Sequence, residues 1–301
     1  MHMDSVVAID IGGTTIKSAI ASIPTSLADA QIDQVRRTPT PIGSVDALVD
    51  AVVEIVRSYP APIAGVGVVM PGVLDVPAGR VRAAGNMQLF EVPIVAPLED
   101  ALGLPVTFEH DVRAGAHAEL HAGAARGLRD AIFMPIGTGI AAAFIIDGEV
   151  RSADGYMGEV GHAHVGPEVA CVCGLHGCLE AVASASALTR RYEQRTGITD
   201  DAAGVIARAS SADTVAMEIW GDALAGLIHA CTWMTNLLGS EAIILGGGMS
   251  RAGATLFEPL RKGVAASLSF QRMPRLLAAT HGDDAGCLGA AILALKAGGV
   301  A

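Results

Sequence analysis

Aromatic residues are scarce in this chain: two Trp, three Tyr and six Phe make up 4% of its 301 residues, although hydrophobic residues reach 51%. A core must then be filled by small and branched side chains such as Ala, Val and Ile. With 36 glycines to supply turns, this composition excludes disorder and points to tightly packed α/β layers, in a chain long enough for about two domains. Positive charge is also in short supply. Against 31 Asp and Glu stand 20 Lys and Arg, and the formal charge of −11 would repel a nucleic-acid backbone over most of the surface. Long apolar runs are missing as well. The most apolar stretch, 131–146, is bounded by Asp130 and Asp147, interrupted by Gly137 and Gly139, and shorter than the roughly 20 residues of a membrane span. The opening MHMDSVVAIDIGG lacks a basic region followed by an apolar segment, so no export signal, no membrane attachment and a cytoplasmic protein are expected. Five cysteines, an odd number, do not suggest a disulfide framework.

What is present is a succession of short apolar runs ending in glycine or polar turns. Residues 5–11 form a β-branched run that meets Gly12-Gly13-Thr14-Thr15 and resumes at Ile16, a strand, turn and returning strand. Ser44 caps an expected helix over 45–57, whose apolar positions recur on one face. Strands are expected at 63–70 and 105–109, a helix from Asp111 to about 125, and paired strands within 131–146. A long Gly/His/Cys-rich insertion covers 150–180, and loops of that length are usually functional or metal-stapled. Beyond it come mostly helices over 184–238, a strand at 241–245 ending in Gly246-Gly247-Gly248, helices near 251–266 and 285–297, and a strand at about 275–280. The strand-turn-strand pattern occurs at both 5–20 and 131–146, which suggests two related halves facing a cleft.

Three turns have the makings of a phosphate site. Asp10, Gly12, Gly13, Thr14, Thr15 and Lys17 combine glycines that let backbone amides approach closely, two hydroxyls, a cation and a carboxylate able to hold magnesium directly or through water. Gly137-Thr138-Gly139 offers further amides and a hydroxyl, and Gly246-Gly247-Gly248 ends a strand in a way that lets a flat base lie on backbone. Each alone is compatible with an ordinary turn. Their recurrence lowers the odds that all three are structural.

His162, Cys171, Cys173 and Cys178 form H-x8-C-x-C-x4-C, three soft thiolates and an imidazole suited to tetrahedral, structural zinc, with His164 and His176 as competing nitrogen ligands. Gly174 and Gly177 permit a tight fold between the last two thiols. Glu109-His110-Asp111 places a carboxylate at a strand-to-helix junction, where it either caps the helix or holds a substrate hydroxyl for attack on phosphorus. Asn86 sits in a turn-rich stretch, and Cys231, Cys287, Trp220 and Trp233 fall at helical spacings as core residues.

Together these motifs resemble the ROK family of sugar kinases and related repressors, in the family's order and over nearly the whole chain. The matching pieces include Pro71-Gly72, Gly158-Glu159-Val160-Gly161-His162 and Cys171-x-Cys173-Gly174-x-x-Gly177-Cys178-x-Glu180. The resemblance implies a two-lobed actin/hexokinase-like (ribonuclease H-like) α/β fold with a zinc-stapled loop. The lobes would span 1–115, completed by the C-terminal helix at about 285–301, and 116–284, which would carry the zinc loop and a dimerisation surface. It further implies ATP with Mg²⁺, a monosaccharide substrate, a homodimer, Asp111 as catalytic base, and Asn86, His110, Glu159, His162 and Glu180 as sugar contacts. Glucose, phosphorylated at its 6-hydroxyl, leads by family frequency, ahead of mannose, fructose, allose and N-acylated aminosugars; polyphosphate is the alternative donor. Two departures stand out: His110 occupies a position usually held by Asn, and the span from His162 to Cys171 is one residue shorter than usual. A sugar-sensing repressor is the rival reading, but the first glycine turn begins at Gly12, so an enzyme is expected rather than a repressor with a preceding helix-turn-helix; a non-catalytic sugar-binding protein is the remaining alternative, because His110 alters the subsite beside the base.

Overall fold

The computed structural model describes residues 5–60 and 62–301; residues 1–4, which contributed to the reading of the amino terminus, lie outside them. Two compact units emerge among the described residues, one comprising 5–60, 62–126, 150–157 and 284–301, the other 127–149 and 158–283. The boundary expected at 115/116 falls within a helix that belongs wholly to the first unit, and 150–157 of the insertion also returns there. No helix among the described residues is long and apolar enough to cross a membrane.

In the first unit β1 (Ser5–Ile11), β2 (Thr15–Ser22), β3 (Asp33–Pro39), β4 (Ile63–Met70) and β8 (Val106–His110) form one sheet in the order β3-β2-β1-β4-β8. β1 pairs antiparallel with β2 and parallel with β4, which itself runs parallel to β8. Alternation along β1 sorts side chains by size. Val7, Ile9 and Ile11 join the face covered by α1 (Val45–Arg57), α2 (Val95–Leu102) and a small sheet of β5 (Val73–Asp75), β6 (Arg80–Ala84) and β7 (Leu89–Pro93). Val6 and Ala8 join the opposite face, packed with α3 (Asp111–Ala122) and the C-terminal helix (Ala285–Ala297) through Ala114, Ala118, Ala290 and Ala291. Small residues there bring backbones into contact. A Cβ on Gly67 would lie 1.9 Å from the Ala290 carbonyl oxygen, and one on Gly289 equally close to that of Ala114.

The second unit repeats the plan with β9 (Ala131–Pro135), β10 (Ala143–Ile146), β11 (Glu149–Arg151), β12 (Ala242–Gly246) and β13 (Arg275–Ala278), ordered β11-β10-β9-β12-β13. Its helices are α4 (Leu179–Ala183), α5 (Ala185–Thr196), α6 (Ala202–Ser210), α7 (Thr214–Leu238) and α8 (Ala254–Ala266). Cys231, Cys287 and Trp220 are buried as expected, whereas Trp233 is only half-buried. The expected elements form within a few residues of their anticipated ends. β3, α2 and β5–β7 were not anticipated, because most are short and lack a sustained apolar period.

On α3, His117 and His121 stack with ring centroids 6.0 Å apart. Burial, then His121, Lys296 and Arg113, push His117 down to about 3 from its ordinary value near 6.5. The unfolded chain therefore binds a proton that the folded chain refuses between about pH 6.5 and 3, and stability must fall as pH falls through that window. Urea unfolding at pH 7.5 and 5 should show this loss, and His117→Gln should flatten it; an equal pH dependence in the variant would refute the assignment.

Candidate functional site

Asp10 ends β1 opposite Lys17 on β2, held there by the hairpin in which the Gly12 amide donates to the Thr15 carbonyl at 3.0 Å. Gly13 lies against Asn86, whose Nδ2 would be 2.8 Å from any Cβ at that position, so the first glycine turn and Asn86 come together. Thr14 is exposed and Thr15 half-buried. Lys17 is directed elsewhere than toward an open turn: its Nζ lies 3.1 Å from Asp284 Oδ1. Gly286, in the first turn of the C-terminal helix, admits the Asp10 carboxylate, whose Oδ2 would be 2.7 Å from an added Cβ. Burial chiefly, then the charge of Asp111, raise Asp10 to about 7; Lys17 opposes the rise and Asp284 adds to it. Such a carboxylate, pressed by two others, is suited to a hard divalent cation.

Asp111 opens α3, but the helix cap is His110. Its Nδ1 accepts from the Val112 amide at 3.2 Å, and that amide also reaches Asp111 Oδ1 at 2.7 Å. Asp111 remains 32% exposed while His110 is 12% exposed, so the carboxylate keeps access to solvent at the sheet's carboxyl edge. Behind it Glu109 Oε1 accepts from the His110 amide and from Arg113 Nε, both at 2.7 Å, bracing the junction.

In the second unit the other two glycine turns are joined. The Ile136 amide donates to the Gly246 carbonyl at 3.0 Å, and the Met249 amide to the Ile136 carbonyl at 3.1 Å. Gly247, with φ of +71°, leaves no room for a side chain, since its Cβ would sit 2.5 Å from the Ile136 oxygen. Beside Gly248 opens a cavity of about 650 Å³ whose walls include Ser186, Thr189, Ala203, Ile206, Met249 and Thr255. The sequence shows α5 and α6 only as helices. The small residues Ala202, Ala203 and Ala207 were the available signal that this face stays open.

His162, Cys171, Cys173 and Cys178 converge, with their donor atoms all within 4.8 Å of one another. The separations of 3.7 Å between His162 Nδ1 and Cys171 Sγ, and of 3.7 Å between the Cys173 and Cys178 sulfurs, match the roughly 3.6–3.8 Å edges of a tetrahedral zinc site. The donor set therefore fits zinc. His164 turns its Nε2 to Glu168 at 3.3 Å, and His176 pairs through its backbone with Ala170, which leaves His162 as the nitrogen ligand of the cluster. Gly174 and Gly177 take the left-handed conformations that close the loop. Two residues after Cys178, Glu180 accepts from the Ile140 amide at 3.0 Å and packs against Gly139, tying this loop to the second glycine turn. Glu159 is exposed one turn before His162, whose amide donates to its carbonyl.

The family model for the ROK family matches residues 6–297. A glucokinase from Halalkalibacterium halodurans is 30% identical over 241 residues, 72% of this chain and 72% of the relative. An N-acetylmannosamine kinase from Citrobacter koseri is 30% identical over 294 residues, 96% of this chain and 98% of its own. Among solved structures, a ROK family glucokinase from Streptomyces griseus in complex with glucose and AMPPNP superposes with a TM-score of 0.82 at 28% identity, over 97% of this chain and 99% of that one.

Metal analysis of protein never exposed to chelator should find about one zinc per chain, lost in Cys178→Ser; wild-type protein without zinc would remove the assignment. The raised Asp10 acid makes the folded state lose stability as pH rises from about 4 through 7, because the folded chain holds a proton the unfolded chain has released. Asp10→Asn should accordingly raise the thermal midpoint at pH 8 in magnesium-free buffer and leave it nearly unchanged at pH 4. Equal midpoints at pH 8 would contradict this.

Proposed function

The chain belongs to the ROK family, and from that premise we propose that it is an ATP-dependent sugar kinase carrying the γ-phosphoryl group to a hexose hydroxyl, the 6-hydroxyl of glucose first. The observation that carries this reading is the Asp111 carboxylate, solvent-accessible at the head of α3 and braced from behind by the Glu109–Arg113 pair. A carboxylate so placed can orient a sugar hydroxyl and accept its proton as the oxygen attacks phosphorus. Phosphoryl transfer through a loose transition state asks little else of the protein than positioning and charge stabilisation.

Asn86, His110, Glu159, His162 and Glu180 are the proposed hydroxyl contacts. His162 would face zinc through Nδ1 and keep Nε2 for the sugar; Glu180, with Oε2 taken by the Ile140 amide, would offer Oε1. Zinc held by His162, Cys171, Cys173 and Cys178 would fix the loop bearing these residues. The cavity beside Gly248 has the volume and the largely apolar walls for a nucleotide base, which supports ATP over polyphosphate. Amides and hydroxyls of Gly12, Gly13, Thr14, Thr15, Gly137, Thr138 and Gly139 would meet the phosphates. Magnesium held by Asp10 would neutralise charge on the transferred group.

An N-acylated aminosugar is the second acceptor class. It is favoured by the match to N-acetylmannosamine kinase at the same 30% identity as to glucokinase. A homodimer in the cytoplasm completes the proposal.

A coupled assay over a panel of hexoses and N-acylated aminosugars, with ATP and with polyphosphate, decides both acceptor and donor. Asp111→Asn and Asp111→Ala should lower kcat by at least about 100-fold with little change in folding. Near-full activity in either variant sinks the base assignment, and a wild-type enzyme inert toward the whole panel sinks the kinase.

A further inference from the structure

Phosphates need a cation, and most of this chain's cations near the glycine turns are already engaged. Lys17 is paired with Asp284 in the first unit. In the second unit, Arg251 lines the large cavity but is ion-paired with Asp283. Helix α5 carries three arginines, of which Arg191 pairs with Asp222 and Arg195 with Glu218. Arg190, which precedes them, has no hydrogen bond or ion pair among the described residues. It is half-buried, and lines a hollow of about 190 Å³ with Thr138, Cys171, Glu180, Ser184 and Ser186.

The position of this hollow gives the unpaired charge its meaning. Ser186 also lines the 650 Å³ cavity, so the two spaces share a wall. Thr138 is the hydroxyl of the second glycine turn, which the Ile136 and Met249 hydrogen bonds join to the turn at the mouth of that cavity. A phosphate chain leaving a base in the larger space would pass Ser186 and arrive at Thr138 and Arg190. Glu180 does not cancel the guanidinium, because the carboxylate is turned to the Ile140 amide and Gly139. A partly desolvated guanidinium without a counter-charge is costly, and a phosphate is the ligand its planar fork fits best.

We propose that Arg190 is the phosphate-binding cation of the donor site, contacting the terminal phosphates of a nucleoside triphosphate whose base occupies the larger cavity. The assignment rests on the kinase reading and adds to it a catalytic residue that charge spreading over the transferred phosphoryl group requires.

The test compares wild type, Arg190→Gln and Arg190→Lys by calorimetric binding of ATP, AMP and tripolyphosphate without sugar, by kinetics, and by zinc content. In Arg190→Gln the ATP dissociation constant should rise about 10- to 100-fold while that of AMP, which lacks the outer phosphates, stays unchanged. Zinc content should be unaltered, and Arg190→Lys should recover part of the ATP affinity but less of kcat. Equal affinities for ATP in wild type and Arg190→Gln overturn the proposal; so does an equal loss for ATP and AMP, or a loss of zinc, either of which makes Arg190 structural. Tripolyphosphate binding wild type as tightly as ATP overturns the nucleotide part. A wild-type protein that binds ATP yet phosphorylates no sugar refutes the kinase and leaves this binding test standing.

Discussion

The contact on which the first unit depends is backbone against backbone. The C-terminal helix sits so close to β4 and α3 that neither Gly67 nor Gly289 has space for a methyl group, and the interface is otherwise built largely of alanine. Close packing of this kind is stiff, since at Gly67 and Gly289 backbone meets backbone with no side chain between to absorb a shift. It fixes both acidic residues at once. Asp111 opens α3, and Asp10 fits its carboxylate into the first turn of the C-terminal helix at Gly286. The scarcity of aromatic residues and the rigidity of the carboxylate pair are thus aspects of one design.

The second unit reaches rigidity by other means. Its two glycine turns are stitched by amide-to-carbonyl hydrogen bonds through Ile136, and the zinc-type cluster passes its order to the same place through Glu180 and Ile140. A loop of some twenty residues without regular structure would otherwise cost conformational entropy that hydrophobic burial there is too slight to offset. Four side chains whose donor atoms fit a metal converge in this loop, which adjoins the second glycine turn, and a metal held there would supply that restraint.

Charge follows the same division. An acidic chain concentrates Asp10, Asp111 and Asp284 closely enough to raise the acid at Asp10, an arrangement that favours bound cation over bare carboxylates. Most arginines near the second unit's cavities are matched to carboxylates, which makes the exception at Arg190 informative. A planar guanidinium left without a carboxylate is the fork that suits a phosphate.

Much of this was legible in the chain. Helix α1 and its Ser44 cap, strand β4 and the hairpin at Gly12 follow from local rules, because apolar periodicity, capping oxygens and glycine turns act within a few residues. The four zinc-type ligands were readable for a similar reason: thiols spaced this tightly can converge almost whatever surrounds them. Local rules failed where partners are distant. The sheet of β5–β7 forms from runs of three to five residues that only their neighbours stabilise, and His110 displaced Asp111 as cap through side-chain geometry that spacing does not encode. By itself, the sequence determined most of the element types, the turn chemistry and the three thiols of the cluster. Tertiary structure alone decided that His162 rather than His164 joins the thiols, that α5 and α6 wall a cavity, and that Lys17 is paired while Arg190 is not, since each depends on which distant groups share a volume once the chain is packed.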